Sequence, residues 1–427
     1  MGRPPKMNRM NLKLLASTLC LCTALPAPAT PQIQIARESE GLAITFTGTL
    51  EAASQVAGPW SEITNTEGVF HDDGSQGRRF FRTREEGGSI FSSASVVNWT
   101  VTGPFQTNFN LAFAGTPDGI FPPNRQKPYF NAEFKMGPLT LPVTMRVRGN
   151  SSLQECSFPK LKMKVSKEDR ANTPFADARE IKIGTHCAEG GHGNIGRLRD
   201  ERAAWREALA YEAMQTLGFV SPRIRRAIIQ YHDTGTPDEL ANTGWIITRH
   251  AFIADDIELI ADRLGGRALK DEEVAALKKT PFAPQLVTDL ELLHALLGNW
   301  DFSLEAESRG LWNTEVVELA DKTLLPVAGD FDLASWVTET VRLSTPSEYH
   351  PELPSVERQV LFTLEGLQAR AGMERFNNGA QRFLGHKSAI EGKVNTAEID
   401  APGRTNVLQH VSAFYNALNS LLEAQGE

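Results

Sequence analysis

The sequence predicts an α+β protein with a β-rich half followed by a helical half, and a small all-β module ahead of both. Three observations carry this expectation. Up to about residue 165 apolar residues recur at period two between Gly and Pro turns, whereas from Asp200 onward they recur at helical spacing. Before residue 88 the chain holds short strand patterns of its own, set off by Glu85-Glu86-Gly87-Gly88-Ser89. A length of 427 residues, 41% hydrophobic and 22% charged, is enough for a globular core and roughly two to three domains.

Residues 1–29 read as a targeting segment. Arg3, Lys6, Arg9 and Lys13 form a basic region, residues 14–25 an apolar core, and Ala27-Pro28-Ala29 a small-residue cleavage site. Export follows, to a periplasmic, surface or extracellular location; an uncleaved anchor is the competing reading. Cys20 and Cys22 each follow Leu rather than a small residue, so no lipid anchor is expected. After cleavage no run reaches the roughly 18 apolar residues of a membrane helix. The net charge of −8 without a dense basic stripe speaks against nucleic acid as a partner.

Residues 30–88 form the accessory module. Leu42, Ile44 and Phe46 alternate, a polar turn covers 71–77, and GRRFFRTRE ends the segment. It resembles a small β-module of some bacterial secreted proteins, which implies a spacer or binding accessory. In the next stretch, residues 115–118 and Phe121-Pro122-Pro123 mark turns, while 144–147 and 160–165 alternate as half-buried strands do. Helical patterns cover 200–217, 271–278, 283–297 and 355–371. Outside the targeting segment only Cys156 and Cys187 remain, which in an oxidising compartment are most simply a disulfide. The rival is a metal site with His186 and His192, but it lacks the Cys-x-x-Cys spacing of structural zinc.

Chemistry gathers in three places. Ala203, Glu207, Ala210, Met214 and Leu217 share a helix face, so Glu207 interrupts an apolar stripe. A buried carboxylate there needs a cation; partial exposure at the stripe margin is the alternative. In Phe158-Pro159-Lys160-Leu161-Lys162-Met163-Lys164-Val165 the three lysines share one strand face, where they could pair with that Glu or stand in water. The third place is 298–332. Asp301 follows an apolar helix, Asn313 opens a hairpin, and Asp330-Phe331-Asp332 ends it. Phosphoryl transfer needs a carboxylate to take a hydroxyl proton, plus an Asn and a second carboxylate to hold Mg²⁺ against the phosphates.

Together these residues carry a resemblance. Arg148-Gly149-Asn150-Ser151-Ser152, FPKLKMKV, IKIGTHC, REALAYE, LLGNWDFS, Trp312-Asn313 and VAGDFDLASWV, in that order, resemble the CotH (spore-coat protein H-like) family of secreted atypical kinases. The similarity covers about 105–340 and, loosely, the helical tail. It implies a bilobal protein-kinase-like fold over 100–425, with an N-lobe at about 105–250 and a C-lobe at about 251–425. It further implies ATP or another nucleotide and Mg²⁺ or Mn²⁺ as cofactors, and a protein Ser/Thr hydroxyl as acceptor. Arg148, Gly149, Asn150, Ser151 and Ser152 would turn over the phosphates, Lys162 would bind them, and Glu207 would pair with that lysine. Asp301 would be the catalytic carboxylate, and Asn313 with Asp330, or Asp332 in its place, the metal ligands. The family pairing of Cys156 with Cys187 agrees with the disulfide.

Departures from the family pattern matter as well. Asp301 and Asn313 stand twelve apart, Pro159 is followed by Lys160 rather than a second proline, and Gly329 replaces an expected tyrosine. Lys160 is therefore a second candidate lysine, and a catalytically inactive surface or envelope binding protein is the rival function. Residues 191–196 match Gly-x-Gly-x-x-Gly without a βαβ unit around them, which points to a loop rather than a dinucleotide site. His294, on an apolar helix seven residues before Asp301, reads as a core histidine more than a base.

Overall fold

The computed structural model describes residues 33–38, 41–46, 49–53, 61–62, 69–72 and 80–84. From residue 89 it describes all but 114–125, 150–152, 154–155, 172, 188–199, 236–243, 278–280, 306–309, 340–354 and 425–427. The targeting segment, Asn150, Ser151, Ser152 and the 191–196 loop lie outside the described residues. The chain divides into two compact units, Met1–Glu86 and Gly87–Glu427.

The first unit contains β1 (Ile33–Glu38), β2 (Gly41–Phe46), β3 (Thr49–Ala53), β4 (Ser61–Glu62), β5 (Val69–Asp72) and β6 (Phe80–Arg84). They form two antiparallel sheets, ordered β1-β2-β5 and β4-β3-β6. Ile44 and Leu50 are its buried centre, with Ile33 and Phe81 against them.

The second unit is built on a closed barrel. Its strands are β7 (Val97–Gly103), β8 (Phe130–Met136), β9 (Leu139–Val147), β10 (Leu161–Lys164), β11 (Glu180–Thr185), β12 (Ile224–Asp233) and β13 (Ile246–Asp255). Around the barrel they run β10-β11-β13-β12-β7-β8-β9, and β9 pairs with β10 to close it. All neighbours are antiparallel except β7 and β12, which run parallel from Val97 opposite Ala227 to Gly103 opposite Asp233. Period two fills the interior: Trp99 and Val101, Val143 and Met145, Leu161 and Met163, Ile181 and Ile183, Ile229 and Tyr231 are all buried. At Gly184 an added Cβ would come within 2.1 Å of the Phe252 ring, so only glycine lets that ring lie across β11.

This closed barrel, with mixed α/β content, overturns the expectation of a bilobal kinase-like fold with a β-rich N-lobe and a helical C-lobe. The unit is mixed α/β around a closed seven-strand barrel. The expected lobe boundary at 250 falls inside β13. Alternation tells which residues face inward but not whether the first strand finds the last. Here closure depends on the parallel β7–β12 pair, whose members lie more than a hundred residues apart.

Helix Ala203–Thr216 is buried nearly all round rather than along one stripe. On the barrel side the Trp205 indole N–H donates to the carbonyls of Ala251 (2.9 Å) and Ala227 (3.3 Å). On the other side Arg206 donates to the Val337 carbonyl (3.0 Å) and to Asp400 (2.6 Å). Helices Pro284–Leu297, Val356–Ala371, Met373–Gly385, Lys387–Thr396 and Ala401–Glu423 complete this core with Leu293, Leu364, Phe383 and Phe414. A small antiparallel sheet of β14 (Arg267–Ala268), β15 (Thr314–Glu318) and β16 (Leu324–Ala328) is backed by helix Ile257–Arg263. Among the described residues no helix is long and apolar enough to cross a membrane.

Cys156 and Cys187 are joined as a disulfide across a separation of 31 residues. The bridge ties the approach to β10 to the exit of β11, where the Phe158 N–H also donates to the Cys187 carbonyl (3.2 Å). Replacing both cysteines by serine should lower the unfolding free energy by on the order of 3 kcal/mol, through the freed loop of the unfolded chain. Urea titration checks this: the midpoint falls, and the slope rises because the freed loop lets the unfolded chain expose more surface. An unchanged midpoint contradicts a stabilising bridge.

Candidate functional site

The three lysines of the β10 face meet three environments. Lys164 is exposed. Lys162 sits between Glu180 (2.8 Å) and Asp256 (2.8 Å). Lys160, just before the strand, is buried, and its Nζ binds Asp330, lies 2.9 Å from Asp332 and 3.8 Å from Glu207. The expected Lys162–Glu207 pair is therefore not formed, and Lys160 takes that place. Two residues along a strand move a side chain about 7 Å while keeping it on the same face, so alternation alone leaves the choice open. The partners decide it: Glu207, Asp330 and Asp332 surround Lys160, while Glu180 and Asp256 hold Lys162.

The carboxylates reach Lys160 from two elements, the buried helix and the turn after β16. Glu207 comes from the buried helix, where pairing rather than exposure answers its interruption of the apolar face. Asp330 follows β16 with left-handed backbone, φ 57° and ψ 55°, which costs a non-glycine residue roughly 1 kcal/mol. That conformation opens a short 3₁₀ turn, Phe331–Leu333, and brings Asp332 to the same Nζ. Tyr211, one turn after Glu207, holds the bend by accepting the Asp330 N–H at its hydroxyl (2.9 Å). An added Cβ on Gly329 would lie 3.3 Å from that hydroxyl, so Tyr211 packs where the sequence departs from the family pattern. Tyr211 was legible only as a residue four places from Glu207.

Asp301 is held on every side. The Trp312 indole N–H donates to its Oδ1 (2.8 Å), and the Asn313 amide donates to its Oδ2 (2.9 Å) and its carbonyl (2.7 Å). Its own N–H donates to Asn299 Oδ1 (3.1 Å). The Asn299 amide in turn donates to His294 Nδ1 (3.0 Å), which fixes the His294 proton on Nε2. Burial lowers the His294 pKa to about 3, and its ring stacks on Phe302 at 3.6 Å. His294 is thus a neutral support.

Charge in this cluster is unbalanced. Burial, with Asp332 and Asp330 adding to it against the pull of Lys160, raises Glu207 from 4.5 to about 8. Burial and Asp330 likewise outweigh Lys160 at Asp332 and raise it to about 6. At Asp330 burial is overcome by Lys160 and Arg148, and the carboxyl is held down to about 2. Burial raises Asp301 despite its two donors, and both Asp330 and Lys160 act on it. Arg148 belongs to the same field; its backbone N–H donates to the Lys160 carbonyl (2.9 Å), and Gly149 follows with φ 96°. Among the described residues no group of three or more His, Cys, Asp or Glu is disposed to hold a metal ion. Any cation would be shared with a ligand's own oxygens, which is how Mg²⁺ is usually held.

No family model matches the chain, and no curated protein matches it.

Glu207 supplies a pH test. Its folded pKa lies above its unfolded value, so the folded chain keeps a proton that the unfolded chain has released. Stability contributed by that proton is full below about 4.5 and is lost as pH rises through about 8. Glu207→Gln fixes the neutral form. Between pH 5 and pH 9 the variant should gain on the parent by on the order of 1–3 kcal/mol in urea unfolding. A gap that does not move with pH would show that the Glu207 charge is fully compensated.

Proposed function

We propose that the second unit is a phosphotransferase, moving the γ-phosphoryl group of ATP or another nucleotide to a Ser or Thr hydroxyl of a protein after export, with Mg²⁺ or Mn²⁺. The observation that carries this reading is the convergence of Lys160, Glu207, Asp330 and Asp332, with Asp301 and Arg148 in the same electrostatic field. The ordered resemblance to the CotH kinases supports it. Function lives in such a site rather than in the fold around it.

Asp301 takes the proton of the attacking hydroxyl. The hydroxyl oxygen bonds to the γ-phosphorus as the bridging P–O bond to the β-phosphate breaks, and the nucleoside diphosphate leaves. Burial strengthens Asp301 as a base, and Trp312 and Asn313 fix its orientation. Lys160 and Arg148 face the phosphate charge. Beside them, Lys162 stands directly opposite Arg146 on one side and Lys182 on the other. Like charges so opposed are unfavourable without an anion. Glu180, Asp256 and Glu315 meet part of that charge, while the buried Nε groups of Arg146 and Arg148 have no partner among the described residues. A triphosphate suits that face, and Lys162 would serve it there. The hard oxygens of Asp330, Asp332 and Asn313 suit a divalent cation, which would neutralise charge on the phosphates when bound. Glu207 Oε1, buried without a hydrogen bond, marks the surplus such a cation would offset.

Labelled-phosphate transfer to a mixed protein acceptor tests the reading. Asp301→Ala and Asp330→Ala should each abolish incorporation; Asp330→Ala also lowers the melting temperature, because it removes a buried partner of Lys160, so both are assayed where the variants stay folded. Lys160→Met should cost at least about 100-fold, as loss of a transition-state donor does, and more than Lys162→Met. Incorporation that survives both aspartate changes ends the assignment. No incorporation, with no thermal shift from any nucleotide, leaves the inactive binding protein as the reading.

A further inference from the structure

Resting on the phosphotransfer reading, we propose that Trp312 is a positioning residue for Asp301 and the wall against which the acceptor lies, selecting acceptors with an apolar side chain next to the hydroxyl. Successive strand residues ordinarily point to opposite faces, yet Trp312 and Asn313 both reach one carboxylate. The left-handed backbone of Asn313, φ 50°, makes this possible. A bridge between Ser303 and Trp312 (3.1 and 3.2 Å) pins the loop carrying Asp301 to the residue that grips it. Both carboxylate oxygens are thereby fixed, Oδ1 by the indole and Oδ2 by the amide.

The indole spends only its N–H edge on this task. The residue remains 41% exposed, unlike the buried Trp99, Trp205 and Trp336. An indole with its N–H edge engaged and its apolar body open can take an apolar group, as such rings do at interfaces. The bond from the indole N–H to Asp301 Oδ1 (2.8 Å) sets the exposed ring beside the carboxylate that the acceptor hydroxyl would meet. Charge complements the choice: Asp301, Asp330 and Asp332 disfavour an acidic neighbour, and the ring favours an apolar one.

The experiment uses the full chain, Mg²⁺-ATP and two serine decapeptides, one with Leu and one with Glu on both sides of the serine. Trp312→Phe keeps a ring but loses the N–H; kcat should fall about tenfold while the KM values for peptide and nucleotide hold. Trp312→Ala should also raise the KM of the Leu-flanked peptide severalfold and erase the parent's preference for it. An unchanged kcat in Trp312→Phe, or equal losses on both peptides in Trp312→Ala, overturns the proposal. Fluorescence separates its failure from that of the phosphotransfer reading. Quenching by the Leu-flanked peptide that is lost in Trp312→Ala, without phosphate incorporation, keeps the wall and removes the kinase. Neither quenching nor incorporation removes both.

Discussion

A buried lysine facing three carboxylates is the constraint around which this unit is assembled. Lys160 keeps its charge out of water against Asp330 and Asp332, which share one turn, with Glu207 facing it from the helix. Breaking a buried pair leaves an uncompensated charge, a cost of several kcal/mol. The start of β10, the helix Ala203–Thr216 and the turn after β16 must therefore meet at one point. Their meeting fixes the helix between the barrel and the helical layer, where Trp205 and Arg206 complete the contacts.

Around that point strain and support alternate. Asp330 and Asn313 both carry left-handed backbone, and each is held by a partner placed for the purpose. Tyr211 accepts the Asp330 N–H, and the Asp301 carbonyl and carboxylate take the Asn313 amide. His294 and Asn299 extend the support one step further, into the core of helix Pro284–Leu297. Strained residues persist where their surroundings over-determine them, and such places tend to be functional. Here both lie beside the acidic residues whose chemistry the sequence suggests.

Much of this arrangement was legible from residue types. Glu207 declared itself by interrupting an apolar face, and Cys156 and Cys187 by being the cysteines outside the expected targeting segment. Asp301, Asn313 and Asp330 could be placed around a hairpin because the Asn and the DFD flank two strand-like runs. Lys160 and Lys162 could not be separated, since both lie on one strand face and only their distant carboxylate partners distinguish them. The barrel was hidden for a related reason. Alternation fixes which way a side chain points, but closure depends on β7 finding β12, and no local pattern records a pairing at such distance. The helix Ala203–Thr216 misled in the opposite direction, because a helix covered on two sides has no clean stripe.

On the phosphotransfer reading proposed above, the charges suit a ligand of two parts. Glu207, Asp330, Asp332 and Asp301 face Lys160 and Arg148, an excess of acid that leaves Glu207 and Asp332 reluctant to ionise. A divalent cation alone would correct that excess but would leave the Arg146 and Arg148 Nε groups unanswered. A phosphate alone would answer the arginines and deepen the excess beside Asp330. On the function proposed above, a polyphosphate carrying its own cation would satisfy both faces at once, offering charge to the carboxylates through the cation and oxygens to the guanidinium and ammonium groups. The two imbalances lie side by side across β9 and β10, so one ligand of that kind suffices where two separate ligands would repel or leave a buried charge exposed.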